Sequence, residues 1–403
     1  MWHDFTVKRK ATSRPKQSVR SPIIGIAGLA LYGSDALIIE GIQRYAHTHR
    51  LNIFNATKDK GFEEMEMNRA FFGGVIASIQ SDAIANRLRA MGGAVVNVSN
   101  TKADFFGFPA VVPDDRRIGM VAADYFLERG YRNFAVHTVP GIFDYHYINV
   151  RAQGFIDHVK QSGFRCCGFK DYYSPEELAR LASSDIPLLP SREISLPCAV
   201  FGVTDQIAER VCFIEQTKGI KIPQQMAVLG VDNFELYCRM TNPPLSSIDT
   251  HAERIGERAA EVMHKLLQGN AVPDVTLIAP GEVVSRISAN FIATEDPGLA
   301  RARLYILEHC AERINVADIV KASGANRRKL EIDFRKHFGS SILHQLNHAR
   351  VMRANHLIRD TVLPFYRIAE LSGFRDLPQM NRVFKRFKQP LPSTFKKNFP
   401  REK

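Results

Sequence analysis

The sequence predicts an α/β body of parallel sheets with crossover helices, followed by an all-α module holding two helix-turn-helix units. Three observations carry that expectation. From about residue 23 to 267, short β-branched or apolar runs alternate with amphipathic stretches, the rhythm of strands joined by crossover helices. Positive charge gathers at one end: residues 299–403 hold 22 Lys and Arg against 9 Asp and Glu, while 1–298 hold 32 against 33. Within that basic end one residue pattern occurs twice, 49 to 50 positions apart.

The strands of the body are expected at 23–29, 51–56, 73–78, 94–99, 133–138, 199–203 and 226–231, each a run such as IIGIAGL or MAVLGV. Between them the 3.6-residue periodicity predicts helices at 36–49, 83–91, 116–129, 150–161, 206–217 and 252–267. In such folds ligands bind beyond the carboxyl ends of the strands. Polar residues stand there: Asp35 after the first strand, Asp114 after the AVV run at 110–112, Asp205 after AVFGVT and Asp232 after MAVLGV. Arg151 lies just inside a later helix, in RAQGF. A single aspartate at a strand end is more often a helix N-cap or a turn residue. Four with an arginine form a set suited to a polyhydroxylated ligand, because carboxylates accept hydrogen bonds and a guanidinium donates them in a fork.

The segments VVPDDRRIGMVAADYFLERGYRNFAVH, RAQGF, VFGVTDQIAERVCF and KIPQQMAVLGVDNFELYCRMTNPPLSSID resemble the sugar-sensing core of LacI/GalR-type repressors. The resemblance spans roughly 21–290 and implies a type I periplasmic-binding-protein fold, two doubly wound α/β subdomains closing on a ligand. It further implies that Arg151, Asp205 and Asp232 contact sugar hydroxyls from one subdomain, with Asp35 and Asp114 contributing from the other. Phe106, Phe143, Tyr145 and Phe234 stand near the same loops; each is more readily a packing residue than a stacking platform. LacI-type repressors place a helix-turn-helix before the sensor. Here only a basic arm, 1–20, precedes it, with Lys8, Arg9, Lys10, Arg14, Lys16 and Arg20. A DNA-binding function therefore falls to the other end.

Asp296-Pro297-Gly298 suits a linker, taken as 291–298, and 299–403 reads as helical throughout. Ile319, Ser323 and Gly324 recur as Ile368, Ser372 and Gly373; Leu330, Phe334 and Arg335 recur as Met380, Phe384 and Lys385. A helix, a glycine turn and a second helix with basic exposed positions make a helix-turn-helix, and the chain has two. Asn315 and Asn326 are expected helix caps, Pro364 and Pro378 fit early helical positions, and 342–360 has the length of a connecting helix. The segments NVADIVKASGANRRKLEIDFRKHFG and RIAELSGFRDLPQMNRVFKRFKQPLPSTFKK are similar to the AraC/XylS DNA-binding domain. That resemblance implies base readers at Arg327, Arg328 and Glu331 in the first unit and Gln379, Asn381 and Arg382 in the second, with phosphate contacts at Lys329, Arg335, Lys385 and Arg386. Arg reads guanine, and Gln or Asn reads adenine, in bidentate fashion worth about 1–3 kcal/mol of discrimination. Met380 stands where the family has Phe, Gln389 where a glycine ends the helix, and Asp333 at an apolar position.

Other classes fit less well. A composition of 45% hydrophobic and 24% charged residues excludes collagen-like and disordered chains. The most apolar stretch, 21–39, is interrupted by Pro22 and Asp35, short of the roughly 20 unbroken apolar residues of a membrane span. Six cysteines without a CxxC spacing read as reduced thiols in the cytoplasm, which argues with the start of the chain against an exported binding protein. GxSxG, HExxH and GxxxxGK[ST] are absent, so an enzyme is not expected and no cofactor or metal is implied. His344 and His348 have a metal-compatible spacing without a third ligand nearby. The expected partners are double-stranded DNA at repeated half-sites, a small sugar of the pentose class, a second copy of the chain and RNA polymerase. The expected function is a sugar-responsive transcriptional activator. A regulator keeping the sensor fold for dimerisation alone, or a sugar-processing enzyme, remain the alternatives.

Overall fold

The computed structural model describes residues 23–56, 61–138, 145–168, 195–217, 219–361 and 363–387. The basic arm, Phe143 and Gln389 lie outside these residues. No helix among the described residues is long and apolar enough to cross a membrane.

The described residues between 23 and 290 form two lobes, each a six-stranded sheet covered on both faces. Lobe 1 holds β1 (Ile23–Ala27), β2 (Asn52–Asn55), β3 (Phe72–Ala77), β4 (Ala94–Asn97) and β5 (Ala110–Pro113). Its helices are α1 (Gly33–His49), α2 (Gly61–Met67) and α3 (Asp82–Met91). Lobe 2 holds β6 (Asn133–His137), β7 (Cys166–Gly168), β8 (Cys198–Gly202), β9 (Met226–Val231) and β10 (Ser246–Ile248), with α4 (Asp115–Glu128), α5 (His146–Gln161), α6 (Asp205–Thr217) and α7 (Glu235–Met240). The chain then returns to lobe 1 with α8 (Ala252–Leu267) and β11 (Val275–Ile278), and ends the body with β12 (Val283–Val284) in lobe 2. Sheet order is β11-β5-β4-β3-β1-β2 in lobe 1 and β12-β10-β9-β8-β6-β7 in lobe 2. The pairings are parallel except β10 with β12. Buried on both faces, these strands are continuous apolar runs such as Met226–Val231, as parallel sheets require. The expected two-subdomain α/β architecture is thus present, with β5, β7, β10, β11 and β12 additional to the strands expected from sequence.

Each lobe is closed by a helix pair in van der Waals contact at glycines. Gly41 of α1 faces the Glu253 carbonyl of α8, and Gly256 faces that of Ile38; Gly119 of α4 and Gly154 of α5 do the same across lobe 2. A β-carbon at any of the four would overlap backbone. Among the described residues the chain passes between lobes three times, at 113–115, 248–252 and 278–283.

Beyond the lobes the described residues form helices alone: α9 (Pro297–His309), α10 (Val316–Ser323), α11 (Arg327–Phe338), α12 (Ile342–Asp360), α13 (Phe365–Leu371) and α14 (Leu377–Arg386). Asn315 caps α10 in a reciprocal capping box with Asp318, and Gly324 ends it at φ 64°. Two small cores form around the shared α12. Ile342, Leu346 and Ala349 join Leu330 and Phe334 in one; Val351, Ala354 and Ile358 join Met380 and Phe384 in the other. Met380 is fully buried, so methionine fills the core site of the usual aromatic.

This helical domain packs on lobe 2. Arg303 of α9, 1% exposed, donates through Nε to the Glu128 carbonyl at 2.8 Å. Arg132 donates to the His337 carbonyl at 3.1 Å, and Gly130, at φ 82°, faces the His337 ring. Glu282, on the third inter-lobe crossing, lies 3.5 Å from Arg353 and 3.7 Å from His356 of α12.

Candidate functional site

Between the lobes lies a cavity of about 580 Å³. It opens where strand order reverses in each sheet, between β1 and β3 and between β6 and β8, the expected position for a ligand in doubly wound folds. Asp35, Arg151, Asp205 and Asp232 all line it. Asp114 does not: it caps α4, accepting from the Arg117 backbone N–H at 3.1 Å. The carboxylate that joins the cluster is its neighbour, Asp115.

Arg151 is the centre of the arrangement. It is 3% exposed, and its Nε donates to Asp115 Oδ1 at 2.8 Å while Nη1 donates to the Val203 carbonyl at 2.9 Å. Nη1 also approaches Asp232 Oδ1 at 3.5 Å, and the guanidinium lies 4.9 Å from the Tyr147 ring centroid. Asn100 of lobe 1 donates to the other Asp115 oxygen. Asp115 therefore ties the first hinge crossing to both lobes. Across the mouth, His146 N–H donates to the Thr101 carbonyl at 2.9 Å.

Asp205 and Asp232 differ in what their oxygens do. Asp205 accepts from Ser247 Oγ at 2.5 Å, from the Phe234 N–H at 3.2 Å and from Cys238 Sγ at 3.3 Å, so it holds the loop after β9. Asp232 sits in that loop at φ 105°, followed by Asn233 at φ 49°. Such backbone costs on the order of 1–3 kcal/mol per residue and persists where surroundings over-determine it. Here the surroundings are Ser247, which accepts from Asn233 N–H at 2.9 Å, and Arg286, which donates to Asn233 Oδ1 at 2.9 Å. The strained turn leaves the Asp232 carboxylate 30% exposed towards the cavity.

Burial raises the carboxyl groups of Asp35, Asp115, Asp205 and Asp232 above the ordinary range. For Asp205 the charge of Asp232 adds to burial. For Asp232, Arg151 opposes the rise and Asp115 and Asp35 add to it, which records that Asp35 faces Asp232 across the cleft. Sequence reasoning missed Asp115, Asn100, Tyr147 and Ser247. Only Asp115 left a signal, as the second half of an Asp-Asp pair.

Of the aromatics, Tyr145 and Phe234 line the cavity, whereas Phe106 is buried in lobe 1. His344 and His348 lie against the Phe387 ring, with centroids at 4.5 and 5.9 Å.

The second surface is formed by α11 and α14, capped by Asn326 and Asp376. Arg327, Arg328, Arg335, Arg382, Lys385 and Arg386 are exposed, and Glu331 and Asn381 are half-buried at matching positions. Two of the expected contacts are engaged within the protein. Lys329 Nζ pairs with Asp296 and, at 2.8 Å, with Asp333, which explains a carboxylate at that normally apolar position. Gln379 Oε1 accepts from the Arg375 N–H at 2.7 Å, leaving its amide NH₂ to face outward.

Known proteins match both halves. Residues 123–289 match the family described as periplasmic binding protein-like domain, and 319–398 the helix-turn-helix domain family. The xylose operon regulatory protein of Haemophilus influenzae is 24% identical, over 90% of this chain and 95% of its own length. A solved structure of the xylose-binding transcription activator xylR shares the fold with a TM-score of 0.57 and 22% identity, covering 94% of this chain and 99% of that one. A periplasmic binding protein/LacI transcriptional regulator from Alkaliphilus metalliredigens, solved with D-xylulofuranose, covers 67% of this chain and 99% of its own at a TM-score of 0.50 and 19% identity.

Proposed function

The chain joins a periplasmic-binding-protein-like domain to an AraC-type helix-turn-helix domain, the make-up of a transcription regulator and not of an enzyme, and on that premise we propose that it is a cytoplasmic, sugar-responsive activator of pentose catabolic genes. The observation that carries the ligand class is the charge of the cleft. Asp35, Asp205 and Asp232 line it with Arg151 as the one cationic side chain among the described residues, and Arg151 is already held by Asp115. Acceptors in excess suit a neutral polyol, whose hydroxyls donate, and disfavour a phosphorylated or acidic sugar. Xylose is the reading supported by the relatives' names.

The mechanism is a population shift. Sugar bridging Asp35 of lobe 1 and Asp232 of lobe 2 favours the closed cleft. The helical domain rides on lobe 2, so closure changes how the two helix-turn-helix pairs of a homodimer meet repeated half-sites, and with them RNA polymerase. The ligand acts only through its differential affinity for the two forms.

A thermal-shift panel of xylose, arabinose, ribose, hexoses, xylo-oligosaccharides and xylose 5-phosphate tests this. A ligand at about 100 times its dissociation constant adds close to 2.7 kcal/mol. A selective shift with a free pentose is expected. A shift with the phosphate alone would overturn the ligand class, and no shift with any sugar would favour a sensor fold retained for dimerisation.

A further inference from the structure

One exposed apolar side chain lies on a recognition helix. Ile332 of α11 is 56% exposed, flanked one turn away on either side by the exposed Arg328 and Arg335. A lone surface isoleucine carries no meaning by itself. This one is given meaning by the internal repeat, which the structure fixes residue by residue. The caps Asn326 and Asp376 are equivalent. So are the buried pairs Leu330 with Met380 and Phe334 with Phe384, each 1% exposed or less. That register sets Ile332 opposite Arg382, which is also exposed. Both point away from their cores, on the face of the helix that must meet the groove if the domain binds DNA.

We propose that Ile332 is a specificity-determining residue that packs on the 5-methyl group of a thymine in the major groove, at the place in its half-site where Arg382 makes polar contact in the other. The inference rests on the DNA-binding reading above. Thymine alone among the four bases presents a methyl group there, and apolar side chains are its matching readers. An isoleucine cannot hydrogen-bond a base edge, so the two units would read their half-sites by different chemistry: one by arginine forks around an apolar contact, the other by Asn381 and Arg382.

The test uses the full-length chain. Duplexes are first selected from a randomised pool, and each thymine of the enriched site is then replaced singly by deoxyuridine, which removes only the methyl group. Affinities are read by fluorescence anisotropy for the wild type and Ile332→Ala. One deoxyuridine is expected to weaken the wild type about three- to fivefold, the worth of one buried methyl. The same replacement should leave Ile332→Ala unaffected, with its melting temperature unchanged. Equal sensitivity of both proteins at every thymine, or an enriched site with no thymine facing α11, would overturn the proposal while leaving DNA binding intact. Enrichment of no duplex at all would overturn the DNA-binding reading and this inference with it. A change of oligomeric size in Ile332→Ala with an unaltered deoxyuridine profile would reassign the side chain to a protein contact.

Discussion

Arg303 and Glu128 stand 175 residues apart in the chain and meet at 2.8 Å, the guanidinium Nε of the helical domain donating to a carbonyl of lobe 2. The Arg303 side chain also covers the Phe338 ring at 5.3 Å, and burial pulls its own titration down to about 10. A buried cation held by a backbone carbonyl and an aromatic face, beside the partly buried Glu128 carboxylate, makes the domain junction a fixed joint and not a loose tether.

Arg303→Ala should therefore uncouple the domains. Removing a hydrogen bond to a charged group costs about 1.5–3 kcal/mol, and the loss falls on the junction. Scanning calorimetry is expected to resolve two transitions where the wild type gives one. A single transition at the wild-type temperature would show that the joint lies elsewhere.

Asp232→Gly should separate stability from response. Glycine adopts φ 105° without steric cost, and the change relieves a crowded carboxylate. The sugar-free protein is expected to gain about 1 kcal/mol and to lose its thermal shift with pentoses. Retention of that shift would place the decisive acceptor at another residue.

The acidic cleft makes stability depend on pH. Burial lifts Asp205 to about 7 and Asp232 to about 6, above their values in the unfolded chain. The folded state thus holds protons that the unfolded state releases, so the contribution is full below the unfolded value of about 4 and is lost progressively as pH rises from there to 6 or 7, above which it changes no further. The melting temperature of the sugar-free protein should fall between about pH 4.5 and 7, and Asp205→Asn should flatten that slope. A melting temperature that rises over this interval would contradict the assignment.

Among the basic residues of the two recognition helices, Lys329 and Lys385 should behave differently. Lys329 is paired with Asp296 and Asp333, whereas Lys385 is exposed. Lys385→Ala is expected to weaken all DNA sequences alike and lower the salt slope by about 1. Lys329→Ala should leave the slope unchanged. Equal effects would mean that the Asp296 pair opens on DNA.

Much of this was legible in the sequence because parallel strands and amphipathic helices are written locally. Ile23–Ala27 and Met226–Val231 are unbroken apolar runs, and the repeat that sets Leu330 against Met380 needs only the spacing of glycine and core residues. What was not legible depends on contacts distant in the chain. Asp114 and Asp115 are identical neighbours, and which one turns towards Arg151 is settled by the helix start that Asp114 caps. Asp205 lines the cavity as expected, but its bond from Ser247, 42 positions later, has no local signal in the sequence. The three-residue strand β10 and two-residue β12 are too short to show a period at all.

The three inter-lobe crossings have a further consequence. One connecting strand would let the lobes twist, slide and bend; three side by side resist the first two and leave bending. The cleft can then report a bound molecule in a single coordinate, the angle between lobes, whatever the molecule's shape. Glu282 sits on the third crossing within reach of Arg353 and His356, so that crossing touches the domain that carries the recognition helices. Changes to the cleft lining can alter which molecule is sensed without rewriting the message it sends.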